Sequence, residues 1–436
     1  MEQEEAHGIY RYRWVVLAAF MVIGAITQLM WLNYAAITST TGAGASRLIG
    51  AADLMHVSTF KITQLANLIT LLYIPISIPA GIIIDRKGFR YAVMLGAVLT
   101  ASFSFLRLFT GNYTLVLIGM LGIGVGQPFV LNAITKMVAA WFPNEESAMA
   151  VGLASLSLFL GMIVALGLTP VLLDVFGDTL SALRWIVLIY GILAVIGAVL
   201  FWLFAKAKPP KPPKRREHEL QEEGAAINWG SMGKIFKVYD FKLLCIIMFI
   251  GNGAVVAILQ LIDQILKPKH ISSSTSGLIG AVLVITGVMG CVALPAMSDK
   301  LGKRKPFIIL AAVVGAPTMF LMAQLTGVIQ IYVVSGFMGF FLLSAYPLVL
   351  TMTEESTGRV LAGTATSILL LLGNLGGVVL TLIMEGIKGL TGGANGSWYW
   401  AMIFLVVLTV VAFLVALFLK ENRGVVTGEE LGTPTA

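Results

Sequence analysis

Twelve stretches of this chain stay apolar for about 20 residues each, the length a helix needs to cross the hydrocarbon layer of a bilayer. They fall near 14 to 37, 62 to 84, 91 to 109, 114 to 140, 148 to 172, 183 to 205, 242 to 266, 275 to 297, 306 to 327, 329 to 352, 360 to 385 and 398 to 419. Between the sixth and seventh, Lys206 to Asp240 opens Pro-rich and basic and holds no apolar run of spanning length, so it reads as a solvated linker. The layout predicts an all-α membrane protein of twelve transmembrane helices: an N-terminal six-helix bundle at 1–205, a cytoplasmic linker at 206–240, a C-terminal six-helix bundle at 241–420 and a cytoplasmic tail at 421–436. Composition agrees, since 58% apolar against 12% charged residues excludes an ordinary soluble globule. The 46 glycines suit helices that approach closely in lipid. The first apolar run is too long for a cleaved signal peptide, and Cys245 and Cys291, both inside apolar runs, offer neither a disulfide framework nor a metal cluster.

Basic residues orient the spans, because loops rich in Lys and Arg stay on the cytoplasmic side. With both termini inside, 22 of the 29 Lys and Arg residues lie on the inner side, Arg11, Arg13, Arg86, Lys87, Arg90 and Lys136 among them. This predicts a multi-pass protein of the cell membrane with cytoplasmic termini. The net charge of +7 is then an orientation signal, and no basic soluble module is present that would bind nucleic acid.

The two halves echo each other. Gly81 to Arg90 (GIIIDRKGFR) joins spans 2 and 3, and Pro295 to Arg304 (PAMSDKLGKR) joins spans 8 and 9, with Asp, basic, Gly and Arg recurring at an offset of 214 residues. Asn144 to Ser147 (NEES) before span 5 answers Thr353 to Ser356 (TEES) before span 11, and Gly152 with Gly161 answers Gly363 with Gly373. Asp85 and Asp299 are placed at helix ends, where a neighbouring helix N-terminus favours a carboxylate. Asn144 and Thr353 are expected to act as N-caps, with Glu145, Glu146, Glu354 and Glu355 in first turns. Repeated halves with a substrate site between them are a transporter plan.

The Gly81 to Arg90 segment resembles the loop signature of the major facilitator superfamily, and the six-linker-six layout agrees over the whole chain. That resemblance implies two six-helix bundles that rock about a central cavity, and a conformational latch at Gly81, Asp85, Arg86, Gly88 and Arg90, with counterparts at Asp299, Lys300, Gly302 and Arg304. Pro295 stands where the second copy would carry Gly.

Polar residues inside spans are costly in lipid and are therefore candidates to line the cavity: Gln28, Trp31, Asn33 and Tyr34 in span 1, Gln127 and Asn132 in span 4, Asn252, Gln260, Asp263 and Gln264 in span 7, and Tyr346, Thr364, Thr366, Ser367 and Asn374 in spans 10 and 11. The substrate-binding set is taken as Gln28, Trp31, Asn33, Tyr34, Gln127, Asn252, Gln260, Tyr346 and Asn374. Asp263 is either a cation-attracting group near the outer mouth or a solvated helix end. Ionisable groups are missing from the middle of the cavity-lining spans, with Arg107 and Lys136 toward span ends, so the set suits a neutral solute or a cation held by an aromatic face and amide oxygens.

A narrower resemblance points the same way. Tyr10 to Trp14 (YRYRW), Gln28 to Tyr34 (QLMWLNY), Gly126 to Leu131 (GQPFVL) and Ala140 to Phe142 (AWF) look like the first half of the feline leukaemia virus subgroup C receptor-related transporters. In that family the Trp and Gln matching Trp31 and Gln127 line a choline site, and haem export has also been assigned to members. The second half departs, with Val255 and Val256 where the family presents an aromatic and Leu370 and Leu371 where it presents Gln. The expected function is alternating-access transport of a small organic solute, neutral or cationic and choline-like by preference, by a monomer needing no cofactor or metal. A drug or metabolite proton antiporter of the same superfamily, a monocarboxylate or other small-metabolite carrier, and a non-transporting receptor on a transporter fold are the alternatives. The Gly-Pro signature of the antiporters is missing from Gly161 to Gly167, and no zinc-protease, serine-nucleophile or paired-Asp constellation marks an enzyme.

Overall fold

The computed structural model describes residues 11–38, 50–210, 235–357, 359–391 and 398–420. Arg47, the linker at 211–234 and the tail from 421 lie outside the described residues, as do the side chains of Asn144, Glu145, Arg359 and Gly363. Among the described residues twelve helices are long and apolar enough to cross a membrane: α1 Arg13–Ile37, α2 Thr59–Lys87, α3 Phe89–Leu106, α4 Tyr113–Trp141, α5 Met149–Phe176, α6 Leu180–Phe204, α7 Tyr239–Lys269, α8 Ser273–Leu301, α9 Lys305–Gln324, α10 Val328–Thr357, α11 Thr364–Leu390 and α12 Tyr399–Leu417. Each coincides with one predicted apolar run. Several overrun it: at 29 and 30 residues, α2 and α10 extend about 44 Å, beyond the hydrocarbon layer at about 30 Å.

Local chemistry sets the ends. Ser58 accepts a hydrogen bond from the Lys61 amide at the start of α2, Asn112 caps Thr114 and Leu115 at the start of α4, and Thr179 caps Ala182 at the start of α6. Gly88, at φ +84°, makes the corner between α2 and α3, a conformation that favours glycine. Pro128 removes one backbone donor from α4, whose regular winding ends at Leu131 and resumes at Ile134.

Two expected caps are not caps. The fifth helix begins at Asn144 itself, with extended Pro143 in the capping position. Thr353 lies within α10, where its hydroxyl donates 2.8 Å back to Val349 O. Glu354 and Glu355 therefore occupy a helix C-terminus, where the macrodipole disfavours negative charge, and Glu355 is compensated by Arg304.

The chain forms two compact units, one of residues 1–221 with 260–281 and one of 222–259 with 282–436. In the first, α1 packs on the fifth and sixth helices, α3 on α4 and α6, and α2 on α4, around Phe20, Val93, Val130, Trp141 and Phe201. In the second, α9 packs on α10 and α12 and α10 on the eleventh helix, around Phe241, Leu244, Leu348 and Leu369. The repeat extends to close approaches between helices. A Cβ at Gly161 would lie 2.8 Å from the carbonyl carbon of Ala25 on α1, and one at Gly376 would lie 2.9 Å from that of Phe249 on α7. Gly376, rather than Gly373, is thus the structural counterpart of Gly161. Apolar side chains left exposed, such as Leu193, Ile196 and Val199 on α6, form a lipid-facing surface, and exposed Trp185 and Trp202 mark the two ends of that helix.

Candidate substrate site

The first unit gathers most of the candidate polar residues. Gln28 and Trp31, three residues apart on α1, share a face and are both buried. The Trp31 indole N–H is directed at α2, donating to Ala66 O at 3.1 Å and to Thr70 Oγ1 at 3.2 Å. The Gln28 side-chain oxygen has no hydrogen-bond partner among the described residues. Gln127 is also buried, on α4 three residues after Gly124, whose missing side chain lets Ile69 of α2 come close. Nearby on α4, Asn132 accepts a 2.6 Å hydrogen bond from Tyr73.

The final turns of α7 belong to this same unit. Gln260 donates to Thr70 Oγ1 at 3.3 Å and Gln264 to Thr63 Oγ1 at 2.6 Å. Thr63 and Thr70 lie seven residues apart on α2 and the two Gln four apart on α7, so each pair presents one helical face, and the last turns of α7 run antiparallel to α2. Asp263 is buried at 1% exposure, which rules out the solvated helix end.

Tyr34 and Arg107 form a separate cluster. Past the α-helical part of α1, Asn33 and Tyr34 are almost fully buried, and the Arg107 guanidinium lies 4.9 Å from the Tyr34 ring centre. Arg107 has no exposed surface; Nη1 donates to Met30 Sδ at 2.9 Å, and no carboxylate pairs with it among the described residues. As its position toward a span end implies, Arg107 directly follows Leu106, the last residue of α3. The structure desolvates it inside the first unit, a placement that a single Arg between Leu106 and Leu108 does not announce.

In the second unit, Asn252 on α7 packs against Gly373, where an added Cβ would stand 3.0 Å from its amide nitrogen. Asn374 donates back to Leu370 O at 2.9 Å, and Tyr346 is partly exposed on α10. Asn252 and Asp263, which spacing puts on one face of α7, thus fall in different units.

The loop residues divide too. Asp85 pairs with Lys136 at 3.1 Å, both about two-fifths exposed, while Arg90 donates to Trp202 O and Arg86 is exposed. Gly81 lies inside α2 with open space beside it, so the corner belongs to Gly88 alone. In the second copy, Gly302 has φ +62°, Lys300 is exposed, and Arg304 joins Asp299, Glu355 and the Ser298 hydroxyl. Burial alone would lower the Arg304 pKa, but its hydrogen bonds to Asp299 and Glu355 outweigh that and raise it.

Among the described residues no group of three His, Cys, Asp or Glu side chains could hold a metal. The indole N–H of Trp31 thus meets the Ala66 carbonyl and the Thr70 hydroxyl, and the Gln260 amide joins them through Thr70, all groups that hydrogen-bond without carrying charge. Twelve membrane-crossing helices in two units with repeated internal packing, carrying a buried polar surface of this kind, are the architecture of a membrane transporter.

The sequence profile of the Major Facilitator Superfamily matches residues 15–381, and the chain belongs to that superfamily. It is 24% identical over 426 residues to the choline/ethanolamine transporter flvcr2a of Danio rerio, covering 95% of this chain and 87% of that protein. An uncharacterized protein of Archaeoglobus fulgidus is 32% identical over 234 residues, which is 54% of this chain and 99% of the archaeal one. Among solved structures, a bacterial homologue of the human lysosomal transporter Spinster, in an inward-facing and unoccupied conformation, superposes with a TM-score of 0.71 at 17% identity, over 95% of this chain and 99% of that one. That likeness shows the fold.

Proposed function

We propose that this chain is a secondary transporter of the cell membrane that moves a small organic solute by alternating access, with a choline-like cation preferred. The observation that carries this reading is the Trp31 indole, whose N–H is bonded to Ala66 and Thr70 at its edge, so that the ring has a fixed orientation, with buried Gln28 one turn away. An ammonium group over such a face gains about 1–2 kcal/mol when desolvated, and amide oxygens of Gln28 and Gln127 suit a hydroxyl or the polarised hydrogens of a cation. The name of the zebrafish relative supports the same solute class. Asn33, Tyr34, Asn252, Gln260, Tyr346 and Asn374 complete the proposed set, although Tyr34 is engaged by Arg107 and Asn374 by its own helix.

In this reading the protein is a monomer with its termini in the cytoplasm, and the six-helix halves joined by the linker at 206–240 are its moving parts. The loops around Asp85 and Asp299 latch one conformational state. The test is uptake of radiolabelled choline and ethanolamine into proteoliposomes, preceded by a thermal-shift screen of organic cations, amino acids, monocarboxylates and sugars. Trp31→Ala and Gln127→Ala are each expected to abolish uptake while leaving the protein folded and inserted. Normal uptake by both variants would refute the site, and a shift with monocarboxylates alone would refute the solute class.

A further inference from the structure

One hydroxyl on α2 has every hydrogen-bonding position in use. Thr70 Oγ1 donates to Ala66 O at 3.3 Å, accepts the Trp31 indole N–H at 3.2 Å and accepts the Gln260 side-chain amide at 3.3 Å. A threonine hydroxyl has one proton and two lone pairs, so these three contacts saturate it. The Ala66 carbonyl closes the network by also receiving the indole N–H, at 3.1 Å. All of this is buried, with Trp31 at 7% exposure, Thr70 at 3% and Gln260 at 0%.

We infer that Thr70 is a positioning residue that makes the orientation of the Trp31 ring and the seating of the last turns of α7 depend on each other. The inference rests on the proposed role of Trp31 as the solute-binding face. Gln260 reaches the solute surface through Thr70, and the two share the oxygen that steadies the ring. A hydroxyl that donates to a carbonyl is polarised into a better acceptor, so its two N–H partners are coupled through one atom. Gln264 donating to Thr63 seven residues earlier on α2 fixes the register of this contact. Solute over the ring thereby favours the seated form of the α7 end, and release of that end loosens the ring. The required group is a hydroxyl at this one place on α2.

The test is a cycle of Thr70→Val, Gln260→Leu and the double variant, each assayed for choline uptake, with Thr70→Ser as the rescue. Thr70→Val keeps the shape and removes the oxygen. It is expected to raise KM about fivefold, as loss of a hydrogen bond of ordinary strength would, with the protein still inserted. Thr70→Ser restores KM to within about twofold. Gln260→Leu raises KM by a smaller factor, and the double variant falls well short of the product of the two single effects. A Thr70→Val variant with unchanged KM, or single effects that multiply in full, overturns the inference. The same cycle is read from unfolding temperatures of solute-free protein, where coupled positions give shifts that do not sum. If the unmodified chain takes up neither choline nor ethanolamine, the transport reading fails, and the unfolding cycle alone decides whether the Thr70 coupling exists.

Discussion

Replacing Gly161 by Ala separates packing from intrinsic helix preference, because Gly152 on the same helix provides the control. A Cβ at Gly161 would stand 2.8 Å from the carbonyl carbon and 2.9 Å from the Cα of Ala25. The Ala25 carbonyl oxygen lies closer still, and carbon atoms pack at about 3.5–4.0 Å, so the fifth helix and α1 must separate by about 1 Å or more. Backbone on both sides leaves no side chain that could swing away. Overpacking of this kind costs about 1–3 kcal/mol, offset by up to about 1 kcal/mol that Ala gains over Gly in a helix. At Gly152 an added Cβ meets nothing within 4 Å, so only the helix-preference gain applies. The two variants are therefore expected to differ by roughly 2 kcal/mol, with Gly161→Ala the less stable and Gly152→Ala at or above the parent. In thermal unfolding of detergent-solubilised protein that difference is about 4 °C. Trp31 lies six residues beyond Ala25 on the displaced helix, so Gly161→Ala should also raise KM for solute. A Gly161→Ala variant that unfolds with or above Gly152→Ala would refute the close approach of these helices.

Two further substitutions test buried charge. Arg13 donates to both carboxylate oxygens of Glu146, at 3.0 and 2.9 Å, with only 9% of the Arg13 side chain exposed. Glu146→Gln removes the charge from both of these hydrogen bonds to a guanidinium that also lies beside Trp14 and Phe142, and should destabilise by about 2 kcal/mol; an unfolding temperature within a degree of the parent would show the pair to be idle. Arg107 is the opposite case, a fully buried cation with a thioether and an aromatic ring as neighbours. Arg107→Met should leave the unfolding temperature unchanged or raise it, since the desolvation cost of the charge is removed; a fall of several degrees would show that a counter-charge balances it.

The spans were legible because bilayer thickness dictates run length, a constraint that leaves a composition signal wherever the chain crosses. The repeated loops were legible as well, yet their geometry was not. TEES copies NEES in letters, but α10 continues through Thr353 to Thr357, and no residue between Tyr346 and Glu355 is a strong helix stop except Pro347, which α10 absorbs. Gly161 and Gly376 are 215 residues apart whereas NEES and TEES are 209 apart, so the letters before the span point short of the true partner. Trp31, Gln28 and Gln127 stood out as polar or aromatic residues in apolar runs. Thr70 did not, because threonine is common in spans and satisfies its hydroxyl on its own helix. Its signal was the seven-residue spacing from Thr63, a hydroxyl stripe on one face of α2 that only a facing pair of amides makes meaningful.

The two loop clusters differ in how they would answer to electrolyte. Lys136 and Asp85 form a single pair with side chains 37% and 43% exposed, whereas Arg304, at 16%, has two carboxylates and a serine hydroxyl around it. At 1 M salt the screening length falls to about 3 Å, which dissolves an exposed lone pair long before a sheltered, multiply bonded one. Ionic strength thus acts on the halves unequally, and buffer composition becomes a dial for loosening one cluster while the other holds.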